Sequence, residues 1–320
     1  MNKKIYIHIG PPKTGTTTLQ FFFRALALQN EKYILFPKTG RLLDGASYYR
    51  IDFYRGAVLV RGPLNNHEFI FRILRNEIIG TNSNLFLNKL RIEIDTFPGS
   101  FILLSFEGFW FLNDLEIRKI IEVLKGYEIN IVLYIRDQKK KMISMFTQHI
   151  KSGPSDSMKK SCVSFTHFIE EFSDRIFDEH SIIKKWNRHL NFSHSQIWNI
   201  VVRNFDDVIS QASLEEDFIL RVLGIDKSVK DISIDLSINA KNEKFSDYIY
   251  VILIYINKIE ILLGKKNILR PLFYKTRDLI VKSKRVRNTI KLFRFLFSRP
   301  LLNQEDLDLL DSRISQRSLE

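Results

Sequence analysis

The sequence predicts an α/β fold, with a mostly parallel sheet and helices on both faces. Three observations predict it. SFILLSFEGF (100–109), INIVLYIRD (129–137) and IWNIVVRNF (197–205) are short runs that stay apolar instead of alternating, as strands covered on both faces do. Between them lie segments with helical spacing of apolar residues, such as NDLEIRKIIEVLKGY (113–127) and QKKKMISMFTQHIKSG (138–153), the order that builds a parallel sheet. A glycine-bearing turn also joins a first strand, KKIYIHIG (3–10), to a helix beginning TTTLQFFFRALALQ (16–29).

Taken in order, KYILFP (32–37) is a short second strand stopped by Pro37. Residues 38–65, rich in Gly, Tyr and Arg, are expected to be an irregular excursion bordering an acceptor cleft. HEFIFRILRNEIIG (67–80) predicts a helix ending at Gly80. Asn113 or Asp114 is a suitable cap for the helix that follows, and Gly153 closes the one after Arg136. SLEEDFILRVLGI (213–225) predicts a last helix, and DSRISQRSLE (311–320), lacking an apolar stripe, is expected to be disordered. With 45% hydrophobic residues and no repeat or low-complexity tract, the chain reads as a single domain over 1–320.

One cysteine, Cys162, cannot close an intrachain disulfide, and no Cys/His cluster suggests zinc. MNKKIYIHIG has only a strand-length apolar run, so it does not read as a signal peptide. The longest apolar run, YIYVILIYI (248–256), is about half of what a bilayer requires. These features predict a soluble, cytoplasmic protein. Net charge is +13, and residues 265–299 hold twelve Lys or Arg against one acid, Asp278, a local +11. Within that stretch LIVKSKRVRNTIKLFRFLF has a basic amphipathic pattern. Such a pattern fits either an anionic membrane surface or an ordinary helix with a solvated charged face.

The chemistry concentrates in YIHIGPPKTGTTTLQ (6–20). A glycine turn entering a helix offers unpaired backbone N–H groups and the positive end of the helix dipole. Lys13 adds a full charge, Gly15 permits close approach, and Thr14, Thr16, Thr17 and Thr18 add hydroxyl donors. The whole is an oxyanion cradle, P-loop-like, but its lysine precedes the second glycine, unlike G-x-x-x-x-G-K-[ST]. The strand INIVLYI ends in Arg136, not in an acid suited to Mg²⁺. Transfer from a triphosphate relies on a divalent cation, whereas a singly charged sulfuryl group can be served by a lysine and backbone donors. The loop therefore favours a phosphosulfate over a triphosphate.

PKTGTTTLQ resembles the 5′-phosphosulfate loop of the sulfotransferases that use 3′-phosphoadenosine 5′-phosphosulfate (PAPS). Their second motif, a strand, then Arg, then Ser eight residues on, is matched by Arg136 and Ser144. YIRDQ, IVVRNFDD, DFILRVLGID and RPLLNQEDLDLL further resemble the bacterial carbohydrate branch. The resemblance implies that Lys13, Thr14, Gly15, Thr16, Thr17 and Thr18 hold the 5′-phosphosulfate. Arg136 and Ser144 would hold the 3′-phosphate, a nucleotide's length away, and the 3′,5′-bisphosphate PAP is the product, with no metal required. Several glycan-modifying members use a glutamate as base, and Glu107 stands at the matching place; a structural ion pair is the plainer role for it. The acceptor would be a glycan or glycolipid. Two features depart from the cytosolic branch: Thr18 stands where an adenine-stacking aromatic would, and the later basic-glycine segment has no counterpart beyond INAKNEKFS with Lys241.

His8 within the first strand reads as a satisfied core residue, His149 as a surface one, and Asp137 as the ion-pair partner of Arg136. The tyrosines of GASYYRIDFYRG (45–56) suit either a sugar ring or packing. Two alternatives remain at this stage: a nucleotide-dependent kinase, and a non-catalytic basic protein binding membrane through 265–299, nucleic acid being the less favoured partner.

Overall fold

The structure, a computed structural model, describes residues 3–41, 48–53, 56–61, 64, 66–78, 82–154, 159–176, 179–191, 198–225, 247–263, 269, 273 and 301–317. The basic stretch 265–299 lies outside these apart from Leu269 and Phe273, as does Lys241.

Five strands form one parallel sheet in the order β2-β5-β1-β6-β7: β1 (Lys4–His8), β2 (Ile34–Leu35), β5 (Phe101–Ser105), β6 (Glu128–Ile135) and β7 (Trp198–Asn204). β1 is central, and the chain passes from one side of it to the other between β5 and β6. Strand order therefore reverses beside β1, the kind of place where ligands gather at the carboxyl ends of parallel strands.

Side-chain alternation along β1 divides the core. Ile5, Ile7 and Ile9 face α2 (Glu68–Leu74), α3 (Ser83–Thr96), α4 (Asp114–Val123) and α7 (Glu179–Asn191). Tyr6 faces α1 (Thr16–Gln29), α8 (Phe205–Gln211), α9 (Leu214–Asp217) and the wide turn Phe218–Val222. The expected α/β sheet with helices on both faces is thus present, and all of it belongs to one compact unit, residues 1–137 with 178–241.

A second compact unit, residues 138–177 with 242–320, is helical. Its α5 (Gln138–Ser152), α6 (Phe165–Ile176), α10 (Asp247–Leu262) and α11 (Gln304–Arg317) pack around Met142, Phe146, Phe168 and Leu253. No described helix is long and apolar enough to cross a membrane. Cys162 is fully buried.

Local chemistry explains where the elements depart from expectation. Residues 38–65 are not wholly irregular: β3 (Tyr48–Phe53) and β4 (Gly56–Arg61) pair as an antiparallel hairpin, formed by the β-rich runs YYRIDF and GAVLVR. α2 stops at Leu74, short of Gly80, because Asn76 turns left-handed at φ 56° and its N–H bonds back to the Ile73 carbonyl. α3 was not anticipated; Asn82 caps it by accepting from the Asn84 and Leu85 amides, and Phe86, Leu87, Leu90 and Ile94 are its buried face. The helix expected over 213–225 is one turn followed by a π turn closed by Leu223 N–H to Phe218 O at 2.9 Å. Asp311–Arg317, expected to be disordered, is helical within α11, held by buried Leu310 and by Ile314. Asn113, not Asp114, caps α4, in a reciprocal box with Glu116.

Two histidines sit in the sheet unit with no exposure, His8 and His67. Burial holds each near pKa 3, with Arg41 adding to the effect at His67. Each is therefore neutral when folded but takes up a proton near 6.5 when unfolded. The unfolded chain binds more protons as pH falls from about 6.5 towards 3, so their contribution is present above that window and lost within it. Stability should decline by at most about 1.4 kcal/mol per pH unit for each histidine. Denaturation midpoints measured from pH 7 to 4 should fall, and His67→Asn should flatten the fall.

Candidate functional site

The turn after β1 is shaped by what its residues cannot do. Pro11 and Pro12 carry no N–H, so the loop's donors begin at Lys13. Lys13 is left-handed at φ 72°, as is Gly15 at φ 75°. A lysine in that region costs about 1–2 kcal/mol, so the surroundings must hold it there. The Thr14 hydroxyl donates to the Pro11 carbonyl at 2.7 Å across the loop. Arg136 Nη1 donates to the Lys13 carbonyl at 3.2 Å.

α1 then begins without a side-chain cap, because Gly15 has none to give. The first intrahelical bond runs from Leu19 N–H to Gly15 O at 3.0 Å. The amides of Thr16, Thr17 and Thr18 therefore stand at the positive end of a 14-residue helix. Thr16 Oγ1 is buried and has no hydrogen-bond partner among the described residues. Thr17 is exposed and Thr18 half-buried. Gly15 is fixed in space as well as in conformation: a Cβ there would lie 2.4 Å from Leu214 Cδ2 and 3.0 Å from Phe205 Cε2.

Arg136 follows the last residue of β6. Its Nε lies 3.5 Å from Asp206 Oδ1, and its guanidinium sits 5.2 Å over the Phe205 ring. Asp206 is thus an ion-pair partner of Arg136, and the neighbouring Asp137 is exposed, its N–H also donating to Asp206. Sequence reasoning missed Phe205 and Asp206; Asn204, which caps α8 through the Asp206 and Asp207 amides, was the available signal. The Arg136 side chain touches the loop backbone, so it is closer to Lys13 than the nucleotide-length spacing expected. The cause is strand pairing: β6 lies beside β1, only about 4.8 Å away.

Glu107 lies two residues beyond β5, opening a 3₁₀ turn (Glu107–Phe111) rather than ending the strand. Phe106 N–H bonds to the His8 carbonyl at 3.3 Å, tying this turn to β1. Glu107 is an exposed residue, yet protein groups crowd its carboxylate. Crowding raises its pKa above the ordinary glutamate value, Lys13 pulls it back, and Glu68 pushes it further up. The candidate cation and the candidate base therefore feel one another. Ser144 is half-buried on α5, in the helical unit.

Two histidines singled out in the sequence depart from expectation. His8 is buried in the core, but it is not satisfied there: Nδ1 lies 2.9 Å from Ser105 Oγ, whereas Nε2 has no partner among the described residues. His149 is not a surface residue; its ring meets Phe168 and Phe172, and Nε2 lies 3.1 Å from Ser161 Oγ. A cavity of about 540 Å³ opens beside β2, lined by Arg24, Leu28, Phe36, Arg41 and Phe97 among others, and includes none of the loop residues.

Compared with protein-family models and with curated proteins, the chain has no significant match.

Gly15→Ala should be destabilising, through a strained φ of about 1–2 kcal/mol and the overlap with Leu214. The same change should weaken anion uptake by moving the first amides of α1. Chemical denaturation and titration with PAP check both.

Proposed function

We propose that the chain transfers the sulfuryl group of PAPS to an acceptor hydroxyl, on a carbohydrate or glycolipid. The observation that carries this reading is the uncapped start of α1, reached through two left-handed residues, with Lys13 electrostatically coupled to Glu107. Amides 16–18 and Lys13 bind the 5′-phosphosulfate oxygens. Glu107 takes the proton from the acceptor hydroxyl as its oxygen attacks sulfur. The new S–O bond forms as the bond from sulfur to the phosphate oxygen breaks, and the electron pair leaves with PAP, whose developing charge Lys13 and the amides stabilise. A carboxylate crowded enough to have a raised pKa is a better proton acceptor than an ordinary glutamate. On the motif resemblance Arg136 serves the 3′-phosphate, from nearer the loop than that resemblance implies.

Calorimetry should show PAP binding to the protein, and Lys13→Ala should weaken it about tenfold or more, the scale of one charge-assisted hydrogen bond. Tighter binding of ATP·Mg²⁺ than of PAP would turn the reading towards a kinase. Anion binding unaffected by Lys13→Ala but lost with residues 265–299 would reject an enzyme centred on the loop.

Transfer from labelled PAPS to a panel of glycans should depend on Glu107. Its Gln variant should lose about 10²–10⁴ in turnover with PAP affinity nearly kept. Because the base acts ionised and its pKa is raised, kcat/KM should climb with pH through a midpoint above the usual glutamate range. That limb should vanish in Glu107→Gln; unchanged turnover there would reject the base.

A further inference from the structure

Beneath the loop lies a row of buried polar side chains, among them the Thr14 hydroxyl, which was expected to donate to the anion but is given to the Pro11 carbonyl. His8, Thr14 and Ser105 have no exposure and Gln20 very little. Gln20 Nε2 donates to Ser105 Oγ at 3.4 Å, and Ser105 Oγ lies 2.9 Å from His8 Nδ1. An amide nitrogen can only donate, so Ser105 accepts from Gln20 and its own proton is free for His8 Nδ1. With Ser105 donating to Nδ1, the imidazole proton stands on Nε2.

At the other end the direction is fixed by the acceptor. Thr14 Oγ1 donates to the Pro11 carbonyl, which can only accept, and so keeps lone pairs to receive a bond. Between the two ends one link is open. His8 Nε2 is buried and has no hydrogen-bond partner among the described residues. It lies 2.7 Å from the point where a Cβ on Gly10 would stand, and Thr14 Oγ1 lies 3.3 Å from that same point. The atoms therefore flank one spot, kept open by the absence of a side chain on Gly10. With the proton on Nε2 the donors run one way, from Gln20 through Ser105 to His8, whose Nε2–H is left to face the Thr14 side.

We propose that His8 is a positioning residue for the anion loop, its Nε2–H donating to Thr14 Oγ1 when the loop closes on a bound phosphate or phosphosulfate. The bond satisfies a buried donor whose isolation is otherwise unfavourable. It also ties the loop to β1, to β5 through Ser105 and to α1 through Gln20. His8 touches no reacting atom; it acts through Thr14. Because burial keeps the ring neutral down to about pH 3, the donor is available throughout the working range.

This inference rests on the anion-loop reading, and the test separates the two. PAP and inorganic phosphate are titrated calorimetrically into the full chain and into His8→Gln, His8→Asn, Thr14→Val and the His8→Asn/Thr14→Val double variant. Gln carries an amide out to about the Nε2 position, whereas Asn replaces only the inner nitrogen. His8→Gln should keep PAP affinity within about threefold, while His8→Asn should lose about tenfold, one hydrogen bond's worth. In the Thr14→Val background His8→Asn should cost nothing further, because the partner is already gone. Amide exchange at residues 10–18 in the presence of PAP should quicken in His8→Asn and not in His8→Gln. Equal losses for Gln and Asn, or the same loss from His8→Asn in both backgrounds, would overturn the positioning role and leave the loop reading intact. Failure of the unaltered protein to take up either anion would reject both.

Discussion

The site depends on a backbone constraint: the chain leaves β1 through a turn that is left-handed at both Lys13 and Gly15. Gly15 adopts that conformation freely; Lys13 does not, and strain in a non-glycine residue persists only where neighbours over-determine it. Here they do. Thr14 bonds back to Pro11, Arg136 bonds to the Lys13 carbonyl, and Leu214 and Phe205 close on Gly15. A turn of ordinary hand would leave room for a capping side chain at the start of α1. This one spends the cap position on glycine, so the amides of Thr16, Thr17 and Thr18 face outward with the helix dipole behind them. The proposed anion site therefore rests first on a local conformational requirement and only then on side-chain charge.

The neighbouring strands supply the rest. β6 delivers Arg136, and β7 supplies what orients it: Asn204 caps α8 and holds Asp206 in its first turn, beside the guanidinium that rests over Phe205. A carboxylate in the first turn of a helix is stabilised by the dipole, so Asp206 is a firm anchor. β5 delivers Glu107, and the hydrogen bond from Phe106 to His8 fixes the following turn against β1. Each of three adjacent strand ends thus contributes one side chain, and each is braced by a neighbouring strand.

How much of this was legible in the sequence depends on the range of the interaction. The sheet was readable because strands covered on both faces must be apolar throughout, and the loop because glycine, lysine and threonine beside a strand have few other uses. α3 was missed although Asn82 and the spacing of Phe86, Leu90 and Ile94 marked it. Asn76 stops α2 by a left-handed turn that glycine-based reasoning passes over. The hairpin of β3 and β4 was hidden by its Gly, Tyr and Arg content. Non-local facts could not be read at all: that Asp206, 70 positions from Arg136, is its partner, that Glu68 faces Glu107, and that His149 is enclosed by Phe168 and Phe172. Sequence separation hides pairing, since nothing local to Arg136 distinguishes Asp206 from the adjacent Asp137.

Which oxyanion such a loop serves is decided by the charges arranged around it. Near the loop stand two cations, Lys13 and Arg136, and two acids, Glu107 and Asp206, with Glu68 already paired to Arg72 at 2.7 Å. When Glu107 is ionised these side chains nearly cancel, and the net attraction for an anion comes mainly from the amides of α1. Such a balance suits a transferred group with a single negative charge. A triphosphate would bring several more, which phosphoryl-transfer sites offset with divalent cations. In the proposed transfer, a proton taken up by Glu107 would shift the balance one unit positive as the leaving phosphate gains charge. Its raised pKa and its interaction with Lys13 are thus features of one electrostatic balance around the loop.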